Sequence, residues 1–537
     1  MYRKITAVFL ILLVVFSLAS CSKVTQQPNN EIVVENEKPE SGGTIYLGSI
    51  EPQTPNPLLS TSQTYLEVAK LVFESLFDYD EKLELKPVLA DSYAFVDGTA
   101  KCTVKLKGNV YWSDGEKVTA DDVKFSMDTI KAAKDSAFKQ NLEHIFSYRV
   151  TDSSTIEIVF DQPYANAVDA LSFPIIPAHV YSKDINAAPV GSGHFMVSKY
   201  EKLKNMELVV NPKWVSKGGQ PDSKPYIDKI TVVFINDLDA FSTAFQSKEM
   251  DVLNTSSYDW EKYNEMKDVK SYKYVSMYYD FIGLNFNNPI FQDKAVRKAI
   301  MQGINRQGII DKYLLGNAVI ADVPINPTSW LYDGKNTKYA YSKTEAQNTL
   351  AAAGFTDKNG DKILERELNG QQQVLKFTLL TNEENEFRKK AAEEIKKNLA
   401  DIGIAVEIKL APFDEMKASM TSHQFDAVLT GYYLSYNQDL SFAFHSTQIP
   451  SGKNFTSYAN PELDNLLQQA YVTLDNGSRK ETYGKIQDVL REEVPNVSLF
   501  FRDAAIVVRE KVRGDVKPDV VNPYRNIEAW YIPKSRQ

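Results

Sequence analysis

Histidine and cysteine are the scarce residues of this chain, 5 and 2 among 537. The histidines stand at 144, 179, 194, 423 and 445, so no i,i+4 pair exists to grip a metal from one helix face. Also missing are a G-x-S-x-G elbow, an H-E-x-x-H helix and a phosphate-binding Walker loop. These absences argue against the serine hydrolases, zinc peptidases and nucleotide-driven enzymes that such motifs mark. The expectation is a protein that is not an enzyme and uses no metal or cofactor. A spatial pair of carboxylates, as in a glycosidase, leaves no fixed sequence spacing and stays open. Positive charge is also in deficit: the net charge of −9 argues against nucleic acid as a partner.

What is present begins with bulk. The length corresponds to about three domains of ordinary size, and 43% hydrophobic residues suffice for large cores. Tyrosine (29) and phenylalanine (27) are plentiful. A phenol has an apolar body and a polar tip, so tyrosines suit both cores and the walls of ligand clefts.

The N-terminus carries the clearest local signal. Arg3 and Lys4 precede an apolar run from Ile5 to Leu18. That run falls short of the roughly 20 apolar residues a spanning helix needs, so it reads as a secretory signal over residues 1–20. It ends in Leu18-Ala19-Ser20-Cys21, which resembles the bacterial lipobox. A plain signal peptide with a chance cysteine is the alternative, and the position of Cys21 where small residues end the apolar run argues against it. Cys21 is therefore expected to carry lipid, and residues 21–42, rich in Gln, Asn, Glu, Lys and Pro, to form a flexible tether. Cys102 is then left without a disulfide partner.

Periodicity organises the rest. "YLEVAKLVFESLFDYD" shows helical spacing at Leu66, Ala69, Leu71, Val72 and Leu76. Thr119 with Asp122 three residues on is close to a capping box. "GHFMVSKYEKLKNMELVVNPKW" reads as a hairpin about Lys204-Asn205. Two stretches read as β-α-β: "KITVVFI", "DLDAFSTAFQS", "MDVLN"; and the longer "VLKFTLL", "ENEFRKKAAEEIKKNLADIG", "IAVEIKL", "FDEMKASMTSH", "FDAVLTG". The tyrosine-rich "TGYYLSYNQDL" (430–440) then lies at the carboxyl end of the last strand, where open α/β sheets bind their ligands. "DKNGDKILE" spaces Asp357, Asn359, Asp361 and Glu365 like a calcium loop, but lacks the glycine at position six and the acid at position twelve. It reads as a polar turn.

Several segments, taken in order, resemble the large solute-binding proteins (family 5) of peptide-type ABC importers, the dipeptide, oligopeptide and nickel receptors. They are "WSDGEKVTADDVKFSM", "IIPAHVY", "GSGHFMVSKY", "VVNPKW", "FQDKAVRKAIMQGINRQGII" and "AAAGFTDKNGDKILE". Gly303 and Asn305 stand where that family usually has Ala and Asp. The resemblance covers essentially everything after Gly42, and "GYYLSYNQD…FHSTQI" is most similar to the App-type oligopeptide-binding lipoproteins.

The resemblance implies an α/β fold, a periplasmic-binding-protein-like clamshell of two lobes with a third, inserted domain (class II, cluster C type). Lobe I would take residues 43–79, 190–279 and 505–537, the extra domain 80–189, and lobe II 280–504. Carried over position by position, Gly431, Tyr432 and Tyr433 match the loop whose backbone pairs with a peptide, Tyr432 replacing a common Trp. Tyr436 belongs to the same wall. Ser435 stands where related receptors place an Asp that grips the ligand's ammonium. Capping a peptide's amine is therefore expected to cost less than about tenfold in affinity, with Asp439 the nearest alternative acid. Tyr279 and Asp280, Phe500, Phe501 and Arg502, and Asn56 to Leu58 match further positions near the cleft.

The function implied is a monomeric receptor, lipid-anchored on the outer face of the bacterial cytoplasmic membrane, that hands oligopeptides to a membrane permease. The same fold binding an oligosaccharide or a metal chelate is the alternative, and a lipid-anchored hydrolase of a surface polymer is a third reading that the missing motifs disfavour.

Overall fold

The computed structural model describes residues 38–96, 100–214, 224–255, 258–335 and 337–537. The signal segment and Cys21 lie outside the described residues, as does the tether up to residue 37. Glu40–Gln537 forms one compact unit.

An eleven-stranded sheet is its frame. In chain order the strands are β1 (Thr44–Ile50), β2 (Phe195–Glu201), β3 (Asn205–Val210), β4 (Lys229–Ile235), β5 (Val252–Thr255), β6 (Val269–Leu284), β7 (Ala318–Ile320), β8 (Lys376–Asn382), β9 (Ala405–Ala411), β10 (Ala427–Tyr433) and β11 (Asn496–Arg509). They lie side by side as β9-β8-β10-β6-β11-β5-β1-β4-β3-β2, with β7 added to β11. The expected hairpin is β2–β3. The first β-α-β unit is β4, helix Ala240–Gln246 and β5, the two strands flanking β1 in parallel. The second is β8, helix Glu386–Ala400 and β9, followed by helix Phe413–Thr421 and β10, with both neighbours parallel to β8. Phe387, Ala391, Ile395 and Leu399 are buried, as the spacing predicts, because lysine and glutamate occupy the opposite face.

Two long strands join the halves of this sheet. β6 and β11 run antiparallel over almost their whole length, with register shifts between Val275 and Tyr279 and again between Asp280 and Phe281. The boundaries expected at 279/280 and 504/505 fall inside these strands. A separate four-stranded sheet, Ala90–Phe95, Lys101–Leu106, Thr155–Phe160 and Ile145–Asp152, lies within residues 80–189. Its inward residues, such as Cys102, Val104 and Ile158, share one continuous core with Ile45, Leu47 and Ile230 of the large sheet. The helix over Ala120–Ala132 carries the Thr119–Asp122 capping box.

The helix expected from Leu66 to Leu76 stops early: it spans Gln63–Ala69. Tertiary hydrogen bonds override the local pattern. The Leu71 carbonyl accepts from the Phe195 amide (3.0 Å) and the Val72 carbonyl from the Gly193 amide (2.8 Å). A Cβ at Gly193 would sit 2.6 Å from the Leu71 oxygen, so glycine is what allows this approach. The stretch "DKNGDKILE" is a turn. Asp357 accepts the amides of Gly360 and Lys362, Asp361 that of Ile363, and buried Glu365 that of Lys358. The three carboxylates come within 4.8 Å of one another.

Candidate functional site

The site is built on β10. Its pairing with β6 sets Tyr433 opposite Tyr278, Tyr432 opposite Tyr279 and Gly431 opposite Asp280. In an antiparallel ladder alternate residues turn their N–H and C=O toward the partner. The Leu434 amide bonds the Met277 carbonyl at 3.0 Å and fixes the phase, so Gly431 and Tyr433 face the other edge. Leu429 shows the same phase, since its carbonyl accepts the Thr381 hydroxyl from the β8 side (3.0 Å). But β8 pairs with β10 only as far as Val428. From Gly431 onward this edge has no strand partner among the described residues. It is a short open edge of the kind an extended chain can join.

The edge borders a cleft of about 830 Å³. Tyr433, which is 66% exposed, and Tyr436 line it from β10 and its following loop. Asn254 of β5, Tyr274 of β6, Glu67 of helix Gln63–Ala69 and Tyr524 of the C-terminal segment line it as well. Burial holds the carboxyl of Glu67 above its ordinary range, against a hydrogen bond from Asn254 Nδ2 to its Oε2 (3.0 Å). Asn254 Oδ1 in turn accepts from the Tyr274 hydroxyl at 3.2 Å. Burial also raises the phenol of Tyr274, and the negative charge of Glu67 adds to the rise.

Beneath Gly431 lies a charged knot. Asp280 is fully buried. Arg502 donates to it from Nε (2.5 Å) and Nη2 (3.1 Å), and Arg388 Nη2 approaches at 3.4 Å. Arg388 also donates to the Tyr278 hydroxyl (2.7 Å) and to Asn382 (3.2 Å). A Cβ at Gly431 would meet Arg388 Nη2 and the Tyr279 carbonyl, each at 2.8 Å, so only glycine fits above the knot.

A second, smaller cavity of about 120 Å³ is lined by Phe77, Tyr93, Phe95, Trp330, Asp169 and Arg479 among others. Tyr79 of this cavity and Tyr436 of the cleft meet edge to face, centroids 5.4 Å apart. Burial pushes the Asp169 carboxyl up to about 6, opposed by the charge of Arg479.

Of the residues singled out from sequence, Tyr433 and Tyr436 line the cleft, and Gly431 presents its backbone edge. Tyr432 is partly buried, its ring 4.7 Å from Phe281 and 5.1 Å from Phe442, so it packs. Ser435 is exposed and spends its hydroxyl on Asn437 Oδ1 (2.7 Å) in the turn that follows. Asp439 accepts the Ser441 amide (2.9 Å) just ahead of helix Ser441–Phe444. The structure places the remaining positions away from the cleft lining. Tyr279 is stacked on Phe281, with its hydroxyl shared with Ser498 at 2.5 Å, and Phe500 and Phe501 are fully enclosed. Asn56 caps the turn at Leu58 through the Leu58 amide (3.0 Å), and both are completely buried. None of these side chains reaches the cleft. Asp280 and Arg502 act through each other below it. Sequence reasoning missed Glu67, Asn254, Tyr274 and Tyr524, because nothing in a local pattern brings residues so far apart together.

Comparison with known proteins agrees with this architecture. Residues 84–452 match the model of the bacterial extracellular solute-binding proteins, family 5. The chain is 29% identical to the oligopeptide-binding protein AppA of Bacillus subtilis, over 99% of both chains. It is 25% identical to the glutathione-binding protein GsiB of Escherichia coli K12, over 84% of this chain and 86% of that one. The solved structure of AppA from B. subtilis with a nonapeptide superposes with a TM-score of 0.60 at 28% identity, covering 93% of this chain and 100% of that one. The chain has the two-lobe α/β fold of these receptors, and it belongs to family 5 of the bacterial extracellular solute-binding proteins.

Proposed function

We propose that this chain is the oligopeptide receptor of an ABC importer. The observation that carries the reading is the open backbone edge at Gly431 and Tyr433 beside the cleft of about 830 Å³. Main-chain pairing fixes a peptide without reading its sequence, and a roomy cleft leaves water around its side chains. AppA of B. subtilis, similar over the whole length, carries oligopeptide binding in its name, and its structure holds a nonapeptide.

In this reading lobe I is 43–79, 190–279 and 505–537, residues 80–189 are an added domain, and lobe II is 280–504. The lobes close about β6 and β11, whose register shifts near Val275–Phe281 supply the give of a hinge. Cys21 carries the lipid that holds the monomeric receptor on the outer face of the cytoplasmic membrane, within reach of its permease. Mass spectrometry of the protein purified under native conditions tests the reading. It should release a mixture of intact peptides on acid extraction; release of a sugar or a metal chelate and no peptide would overturn it.

A further inference from the structure

The cleft holds an acid that the tyrosine-rich loop lacks. Glu67 sits on helix Gln63–Ala69 and faces into the same space as Tyr433. Its side-chain partners are the neutral amides of Asn254 (3.0 Å) and Gln63; the nearby Lys70 is paired with Asp78, and Glu67 forms no ion pair among the described residues. The other charged groups on the lining are Asp239, which is exposed, and Lys262. Tyr274, Tyr433 and Tyr524 line the same cleft, near enough to Glu67 to feel its charge. A half-buried carboxylate without an ion-pair partner is unfavourable, and a cation that arrives with the ligand relieves it. Aromatic faces around a carboxylate also suit an ammonium, which is drawn to the ring quadrupole.

We infer that Glu67, oriented by Asn254 and boxed by these tyrosines, is the anchor for a primary ammonium of the bound ligand. The inference rests on the peptide reading above and adds a specificity element to it. It also reverses the expectation drawn from Ser435: the acid that the loop lacks is supplied from the opposite side of the cleft. Either the peptide's amino terminus or a lysine side chain has the required chemistry.

Calorimetry separates these sources. The most abundant peptide recovered from the purified protein is resynthesised in four forms: free, N-acetylated, with any lysine replaced by norleucine, and with both changes. Wild type should lose at least about tenfold in affinity when the anchoring amine is removed, as charge-assisted bonds in desolvated sites are the strong ones. Glu67→Gln should lose a similar factor for the free peptide and nothing further on capping, while binding the capped form like wild type. A loss that follows acetylation assigns the amino terminus; one that follows norleucine assigns lysine. If wild type binds all four forms alike, or Glu67→Gln weakens all four equally, the inference fails while the peptide reading stands. If the protein yields and binds no peptide, both fail.

Discussion

Arg502 grips Asp280 with two hydrogen bonds, 2.5 and 3.1 Å, directly under the strand residue Gly431. Arg388 shares the same carboxylate, so one buried acid serves two arginines. Removing the acid strands both cations. Asp280→Ala should therefore destabilise the fold by about 3–5 kcal/mol. Urea unfolding of the variant against wild type measures it, and a loss below about 1 kcal/mol would mean that the knot is solvated rather than buried.

Gly431→Ala tests the close packing above that knot. The added methyl would meet the Tyr279 carbonyl at 2.8 Å, and a backbone oxygen in the central sheet cannot step aside. The expected cost is about 1–3 kcal/mol, with weakened peptide binding because the edge is displaced. Thermal melting and calorimetry on one preparation report both effects. A variant with wild-type stability and affinity would contradict the packing described.

Asp169 gives a pH signature. Its carboxyl is raised from the usual 3.8 to about 6, by burial first. A raised acid favours folding below its unfolded value, and that contribution is lost as pH rises through about 6. Asp169→Asn should thus gain roughly 2–3 kcal/mol at pH 8 and almost nothing near pH 3.5. Melting curves across that range decide it; a gain independent of pH would point to packing instead.

Cys21 is tested by labelling. Wild-type protein in its host should incorporate labelled palmitate and mature to an N-terminus at Cys21, while Cys21→Ala should incorporate none. Equal labelling of the variant would rule out Cys21 as the anchor.

Much of the frame was legible because its elements obey one period each. The helix Glu386–Ala400 buries one face and the strands around it alternate or run apolar, so β8 to β10 and the position of "GYYLSY" follow from sequence. The helix beginning at Gln63 was over-extended because apolar residues at helical spacing also occur where Leu71 and Val72 lend their carbonyls to the 193–195 segment. Tyr279 and Phe501 were expected as contact residues because they match the family's positions near the cleft. Around these residues both strands are buried on both faces, which removes the alternation that would have marked an exposed side. Glu67 was invisible for the opposite reason. A glutamate three residues before Lys70 on a short helix resembles any solvated face, and only the fold shows that it looks into the cleft.

The central claim is that a peptide joins the open edge of β10, and amide hydrogen exchange tests it residue by residue. Exchange is followed with and without a saturating amount of the copurified peptide, resynthesised. The Gly431 and Tyr433 amides should become strongly protected, while Leu434, already bonded to Met277, should change little. Saturated protein in which Gly431 and Tyr433 exchange as fast as in the free form would contradict the account.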